Sequence, residues 1–162
     1  MSPALRLRVA AYRVGIPVYK RLMKVWRPRK LGVRVVVAAP DCRIALVRHR
    51  YAGDWHLPGG GVNRREGYAA AALRELREET GLAEVTLGDP LGAYLHLSEG
   101  VDDNVVVFRA TAPAALPLVA EDAAEIDCAD WFAPNALPPK TSGGTRRRVA
   151  EWLGQAEVNG TW

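Results

Sequence analysis

The sequence predicts an α/β fold in which a mixed β-sheet lies between helices, as in an α/β/α sandwich. Two observations support this fold class. Short β-branched runs separated by turn signals precede and follow a central helical segment, and a second helical segment closes the chain. With 162 residues, of which 49% are hydrophobic and 25% charged, the chain has the size and composition of one compact domain with a short appendage.

Residues 1–30 predict a basic amphipathic arm. A helix is expected to begin at Pro17, where a missing amide costs no intrahelical hydrogen bond, and to end at Pro28. The arm holds nine basic groups and no acid, so the net charge of +4 leaves about −5 for the other 132 residues. Three roles remain open. We favour packing of the arm on the domain or on a second subunit of a homodimer. The alternatives are contact with an anionic membrane surface and binding of RNA or polyphosphate.

Residues 31–162 predict the main domain, which begins with a hairpin of Val33–Ala39 and Ile44–Arg50 joined at Pro40 and Asp41. Residues 51–65 are expected to be a loop rich in glycine and aromatic residues. Further strands are predicted at Val85–Leu87, Leu91–Leu97, Val105–Ala110 and Ile126–Phe132. The polar segment Ser98–Asn104 is expected to be a turn. A closing helix over Thr145–Leu153 is expected to carry Arg146–Arg148 on its surface.

The central helix is predicted from about Gly67 to Thr80, with Gly81 as a left-handed cap. At 100° per residue, one stripe is expected to pack on the sheet, and it consists of Ala69, Leu73, Leu76 and Thr80. Three acids fall together on another side of the helix, namely Glu75, Glu78 and Glu79.

These carboxylates repel one another, and they lie toward the helix C-terminus, where the helix dipole disfavours negative charge. A hard divalent cation would resolve both problems, because Mg²⁺ binds carboxylate oxygens. The alternative is a solvated helix face on which Arg74 and Glu78 form an ordinary ion pair at i,i+4. For the hexamer Arg74–Glu79 alone we would favour that alternative, but the surrounding segment favours the cation.

The segment Gly60–Leu82 resembles the Nudix box over its full length. The box is Gly, five residues, Glu, seven residues, Arg-Glu, an aliphatic, any residue, Glu-Glu, any residue, Gly and an aliphatic. All nine constrained positions are matched within 23 residues, by Gly60, Glu66, Arg74-Glu75-Leu76, Glu78-Glu79 and Gly81-Leu82. The flanks, including Trp55–Gly59, also resemble the family, and the resemblance extends over about residues 31–153.

The resemblance implies hydrolysis of a nucleoside diphosphate linked to another group, with Mg²⁺ or Mn²⁺ as cofactor. It assigns the metals to Glu75, Glu78, Glu79 and a carbonyl near Gly60. It implies that Arg74 orients these glutamates, that Glu66 braces the loop against the helix, and that Arg48 contacts phosphate.

The general base stays open at this stage. Glu75 is the candidate inside the box, and the alternatives outside it are Glu125, Glu121 and the acids Glu99, Asp102 and Asp103. The three histidines, His49, His56 and His96, show no metal-binding spacing, which favours structural roles for them.

Three functions follow from these patterns as hypotheses. The leading one is a diphosphatase acting on a small nucleoside diphosphate derivative. A nucleotide-binding regulatory module of the same fold is the second, although such a module is expected to lose a box acid and this chain keeps them all. The third is RNA 5′-end pyrophosphohydrolysis assisted by the basic arm. The markers for ADP-ribose and for dinucleoside polyphosphates are absent downstream of Leu82, so no single substrate is predicted.

Compartment is predicted from the two cysteines and from the absence of targeting signals. Cys42 and Cys128 form no metal-ligand spacing and no disulfide framework, which favours a reducing cytoplasm. No stretch approaches the roughly 20 apolar residues of a membrane span. The charge-free run Val14–Tyr19 is too short to indicate a signal peptide.

Overall fold

A six-stranded mixed sheet forms the centre of the molecule in the computed structural model, which describes residues 29–98, 101–121 and 123–162. Its strands are β1 (Arg29–Ala38), β2 (Ile44–His49), β3 (Trp55–His56), β4 (Thr86–Ser98), β5 (Val101–Thr111) and β6 (Ile126–Phe132). The order is β3-β2-β1-β5-β4, and β6 pairs with β2. Only β1 and β5 run parallel among these pairs, and the others are antiparallel.

Two helices cover the sheet, α1 (Tyr68–Thr80) and α2 (Gly143–Trp152). Because successive side chains of a strand point to opposite faces, β1 contributes to two separate cores. Val33 and Val35 pack in the core that contains Leu76 of α1, whereas Val36 packs in the core that contains Val149 of α2. The predicted α/β/α arrangement is thereby confirmed.

The buried face of α1 differs from the predicted stripe. Leu76 and Thr80 are buried as expected, but Ala69 is exposed and Leu73 is 40% exposed. The helix is turned so that Ala71, Ala72 and Glu79 face inward instead. In this orientation the carboxylate of Glu79 accepts a hydrogen bond from the Gly59 amide of the loop beneath the helix. Ala72, Leu76 and Thr80, at steps of four, replace Leu73 in the stripe that packs on the sheet.

The second half of the sheet is more continuous than predicted. The strands expected at Val85–Leu87 and Leu91–Leu97 are parts of the single strand β4, whose pairing with β5 shifts register around Pro90. Such a bulge accommodates a proline, which has no amide to donate to the ladder. The expected turn at Ser98–Asn104 is also shorter, because β5 begins at Val101 and includes Asp102 and Asp103.

The surface prediction for Arg146–Arg148 was wrong at one position. Arg146 and Arg147 are exposed, but Arg148 is 0% exposed. Its guanidinium is neutralised by Glu151 at 2.6 Å and lies 3.8 Å from the ring centroid of Tyr94. A buried arginine is tolerated here because both its charge and its planar face have partners.

The predicted arm helix, Pro17–Pro28, lies outside the described residues, while the boundary expected after residue 30 falls within β1. Neither helix of the described segments has the length and apolar character needed to cross a membrane.

Candidate functional site

The loop between β3 and α1 lies directly along β1 and forms the floor of the site. The Val33 amide donates to the carbonyl of Gly60, and the Val35 amide donates to that of Pro58, both at 2.9 Å. The Arg34 guanidinium donates to the carbonyls of Leu57 at 2.9 Å and Gly59 at 2.6 Å. Gly59 has φ +140°, and a Cβ there would overlap the backbone of Val33, so only glycine fits this approach. The backbone of this loop is therefore held rigidly beside the sheet.

Arg74 of α1 joins the loop to the acids of the helix. Its guanidinium donates to both carboxylate oxygens of Glu66, at 2.8 and 2.9 Å, and to the Gly61 carbonyl at 3.0 Å. It also donates to Glu75 at 2.8 Å and to Glu78 at 3.2 Å. These hydrogen bonds, above all those with Glu66, raise the pKa of Arg74, and they lower the pKa of Glu66 to about 2. Glu66 and Arg74 thus stay charged and hold the loop against the helix.

Glu75 and Glu79 project from α1 toward the loop backbone. The carboxylate of Glu79 is buried and accepts a hydrogen bond from the Gly59 amide at 2.8 Å. The carboxylate of Glu75 lies so close to Gly60 that a Cβ on Gly60 would be 2.6 Å from Glu75 Cδ. Burial raises the pKa of Glu75, and it raises the pKa of Glu79 to about 8 despite the opposing charge of Arg34. Two carboxyl groups are therefore desolvated at one place beside the loop.

A histidine that the sequence analysis assigned to a structural role completes this group. His49, at the end of β2, is 5% exposed, and its Nε2 lies 3.6 Å from Oε1 of Glu79. Its Nδ1 lies 3.7 Å from Oε1 of Glu125, which also accepts a hydrogen bond of 3.4 Å from the Tyr51 hydroxyl. One donor atom from each of His49, Glu79 and Glu125 can be chosen so that all three lie within 4.8 Å of one another. Strand alternation places His49 on the α1 side, but no sequence spacing indicates its approach to Glu79.

Arg48, the sequence candidate for phosphate contact, points to the opposite side of β2 from His49. Its guanidinium donates to Asp127 at 3.1 and 2.8 Å and lies 5.1 Å from the ring centroid of Trp55. Asp127 is the extra residue at the register shift between β2 and β6, and it also accepts from Arg50 at 3.0 Å. The structure thus engages Arg48 away from the acids of α1.

The remaining acidic candidates for a base are dispersed. Glu121 accepts from the exposed Arg77 at 3.0 Å, on the outer side of α1. Asp103 lies in β5, where burial raises its pKa, and Asp102 is its neighbour on the strand. Glu99 lies outside the described residues.

Gly81 ends α1 as predicted. Its φ of 74° is left-handed, and its amide donates to the Arg77 carbonyl. A Cβ at this position would lie 2.6 Å from the carbonyl oxygen of Val119. The glycine therefore allows the following loop to pass close to the helix end.

A cavity of about 400 Å³ opens beside the loop, with Gly60 and Gly61 in one wall. Arg34 contributes a positive charge to it, and Tyr51 and His56 contribute flat rings. Asp103 and Trp162 also line it. The cavity has room for part of a nucleotide-sized molecule, and one of its wall residues, Gly60, also lies against the carboxylate of Glu75.

Comparisons with known proteins agree with this geometry. The NUDIX domain family model matches residues 28–153. A putative 8-oxo-dGTP diphosphatase of Bacillus subtilis (strain 168) is 28% identical over 131 residues, which cover 80% of this chain and 85% of that protein. An RNA pyrophosphohydrolase of Bartonella henselae is 38% identical over 89 residues, but these cover only 54% of this chain and 46% of that protein.

The fold is also found among solved structures. The crystal structure of a MutT NUDIX hydrolase from Burkholderia pseudomallei superposes with a TM-score of 0.64 at 26% identity, covering 76% of this chain and 98% of that one. The family model spans most of the chain and includes every element from β1 to α2, so the candidate catalytic and metal-binding residues all lie within the matched range. The chain therefore belongs to the Nudix hydrolase family.

Proposed function

We propose that this enzyme hydrolyses a diphosphate linkage in a nucleoside diphosphate derivative, with Mg²⁺ or Mn²⁺ held by Glu75, Glu78, Glu79 and the Gly60 carbonyl. One observation carries the proposal. The carboxylates of Glu75 and Glu79 lie against the backbone of Gly60 and Gly59, and Gly60 also lines the cavity, although burial disfavours the charged forms of both acids. A divalent cation stabilises such an arrangement, whereas water cannot reach it freely.

The donor groups present fit a hard cation. Carboxylate and carbonyl oxygens are the ligands that Mg²⁺ and Mn²⁺ prefer. The Gly60 carbonyl accepts one hydrogen bond, from Val33, and retains a second lone pair. Because Gly60 has no Cβ, the carboxylate of Glu75 can lie against the loop. Glu78 is half-exposed next to Arg74 and completes the set at the surface.

The chain's own residues have distinct proposed roles around that ion. Arg74 and Glu66 fix the glutamates relative to the loop, because the guanidinium contacts both elements. Arg34 lines the cavity, and we propose it as a phosphate contact there. Arg48, the sequence candidate for that role, is held by Asp127 on the other side of β2. Bound divalent cations neutralise a diphosphate and lower the pKa of an attacking water. Glu75 and Glu125 are the two proposed bases, since both lie near Glu79.

The experiment that tests this proposal is a hydrolysis screen of the purified protein with Mg²⁺ and with Mn²⁺. The panel comprises nucleoside triphosphates, nucleotide sugars, ADP-ribose, dinucleoside polyphosphates and triphosphorylated RNA. We expect metal-dependent release of a phosphate-containing product from at least one class. Glu79→Gln is expected to lower kcat by more than about 100-fold, because it removes a proposed metal ligand. Substitution of residues that only contact a ligand typically costs roughly 10- to 100-fold.

Glu84→Gln is the matched control, since Glu84 is exposed and carries the same charge close to the end of α1. It is expected to leave kcat unchanged. Metal binding without hydrolysis of any substrate class, in wild type and Glu79→Gln alike, would overturn the proposal in favour of a nucleotide-binding module.

A second candidate function is pyrophosphate removal from RNA 5′ ends. It is supported by the basic residues of the arm and by the similarity of part of the chain to proteins named RNA pyrophosphohydrolase. In the screen, a preference for triphosphorylated RNA over the free nucleoside triphosphates would favour it.

A further inference from the structure

His49 is buried without a hydrogen bond to either ring nitrogen. Neither Nδ1 nor Nε2 has a hydrogen-bond partner among the described residues. Their distances to the carboxylates of Glu125 and Glu79, 3.7 and 3.6 Å, are longer than hydrogen bonds. Buried polar atoms normally have partners, because a desolvated and unsatisfied group costs about 1–3 kcal/mol. The imidazole packs against neighbouring rings, but both of its nitrogens lack the hydrogen bonds expected of a buried histidine with a purely structural role.

The spacing of the same atoms suits a shared ion. Ligands that bind one divalent cation at about 2.0–2.2 Å lie roughly 3–4 Å from each other, which is longer than a hydrogen bond. Nε2 of His49 and Oε1 of Glu79 are 3.6 Å apart, and one ligand atom from each of His49, Glu79 and Glu125 can be chosen so that all three lie within 4.8 Å of one another. A cation at this point would satisfy one ring nitrogen of His49 and bring opposite charge to a buried carboxylate.

The group is accessible to an ion. The side chain of Glu125 is 34% exposed, so the group opens to solvent on that side. The rings of Tyr51 and His56 face His49, with centroid distances of 5.1 and 5.8 Å.

We propose that His49, Glu79 and Glu125 form a nitrogen-containing divalent metal site that takes a transition metal of the Mn²⁺ class in preference to Mg²⁺. This proposal rests on the proposed function, because Glu79 is also one of the glutamates that hold the metal there. It adds His49 as a nitrogen ligand and a preference for Mn²⁺ over Mg²⁺. Imidazole suits transition metals, whereas Mg²⁺ demands oxygen ligands.

The test is electron spin-echo spectroscopy of the full-length, untagged protein loaded with Mn²⁺ alone. A directly bound imidazole modulates the Mn²⁺ echo through its nitrogen nucleus, and the chain has only three histidines to supply such a signal. We expect histidine-type nitrogen modulation in wild type, its loss in His49→Gln and its retention in His96→Gln. A wild-type protein that binds Mn²⁺ without nitrogen modulation overturns the proposal, whether or not any variant folds.

Affinity provides the second readout. His49→Gln is expected to weaken Mn²⁺ binding by at least about 10-fold and Mg²⁺ binding much less, because only the former gains from a nitrogen ligand. Equal losses for both ions, or none, contradict the proposed metal preference.

The two proposals, the metal site with His49 and the hydrolytic function, can fail independently of each other. Hydrolysis without nitrogen modulation would exclude His49 as a metal ligand and support the proposed function. Nitrogen modulation without hydrolysis would support His49 as a ligand and contradict the proposed function.

Discussion

Gly60 lies where the loop passes close to a carboxylate of α1. Its carbonyl accepts the Val33 amide on one side, while the carboxylate of Glu75 occupies the space that a Cβ would need on the other. The next residue, Gly61, has open space around the same position. Two adjacent glycines therefore have different steric requirements, and only Gly60 fixes the position of a proposed catalytic carboxylate.

Gly60→Ala is expected to displace the Glu75 carboxylate and to lower kcat by about 100-fold, the cost of misplacing a catalytic group by about 1 Å. Gly61→Ala, which meets no atom within 4 Å, is expected to retain nearly wild-type activity. Steady-state kinetics with saturating Mn²⁺ measures both, and circular dichroism checks that each variant is folded. Equal activity of the two folded variants would show that Glu75 does not need its position beside Gly60.

The site residues divide into those that local spacing could predict and those that it could not. Arg74 and Glu75 lie on one helical turn with Glu78 and Glu79, so the box spacing is sufficient to group them. His49 lies 30 positions before Glu79, and the distance between them depends on how β2 is placed under α1. That placement depends on how the strands pair and on how α1 is rotated about its axis. Neither can be predicted from a local sequence pattern.

Sheet elements show the same division. The apolar runs Val33–Ala39 and Ile44–Arg50 predicted the strands β1 and β2 correctly, since their residues are mostly buried, although β1 begins earlier, at Arg29. At β4 the sequence Gly88–Pro90 indicated a break, but the strand continues because pairing with β5 shifts register there and resumes. Local breaker signals cannot show whether a partner strand will accommodate a bulge.

The second helix is tied to the sheet by a buried polar group on α2 and β4. Tyr94 donates its hydroxyl to Oε2 of Glu151 at 2.6 Å, and Arg148 binds the other oxygen of Glu151 and the Thr161 carbonyl. Burial first, and then the hydrogen bond to Glu151, raises the pKa of Tyr94 well above its usual range. The network thus requires a protonated tyrosine.

Tyr94→Phe is expected to lower the free energy of unfolding by about 1.5–3 kcal/mol at neutral pH, the typical value of a hydrogen bond to a charged group. The native state keeps the Tyr94 proton at a pH where the unfolded chain releases it. The free energy of unfolding of the wild type therefore falls as pH rises above 10, the ordinary pKa of tyrosine. The difference in the free energy of unfolding between wild type and Tyr94→Phe narrows accordingly.

Urea unfolding at about one pH unit below and about one pH unit above the ordinary tyrosine pKa measures this difference in the free energy of unfolding. Tyr68→Phe, a half-buried residue at the start of α1, serves as the matched control and is expected to change little. A difference that stays constant or widens with pH would contradict the assigned role of the Tyr94 proton.

At the scale of the whole molecule, charge is divided unequally along the chain. Residues 1–28 hold seven of its 22 basic residues and none of its 18 acids, which leaves −3 for residues 29–162. The domain that carries the proposed site is thus mildly acidic, and a polyanion gains little from its surface as a whole. A basic segment attached to such a domain would contribute most to the binding of a long anionic substrate and least to that of a small one.

This difference separates the two candidate substrate classes. In the full-length chain, replacing Lys20, Arg21, Lys24 and Arg27 together by glutamine is expected to reduce kcat/KM for triphosphorylated RNA while leaving that for the corresponding free nucleoside triphosphate unchanged. Each lost contact to a single-stranded phosphate lowers the slope of log affinity against log salt by about 0.7. The RNA reaction of the variant should therefore also depend less on ionic strength. Equal changes for both substrates, or unchanged salt dependence, would mean that the arm does not hold RNA and would favour its packing on the domain or on a second subunit.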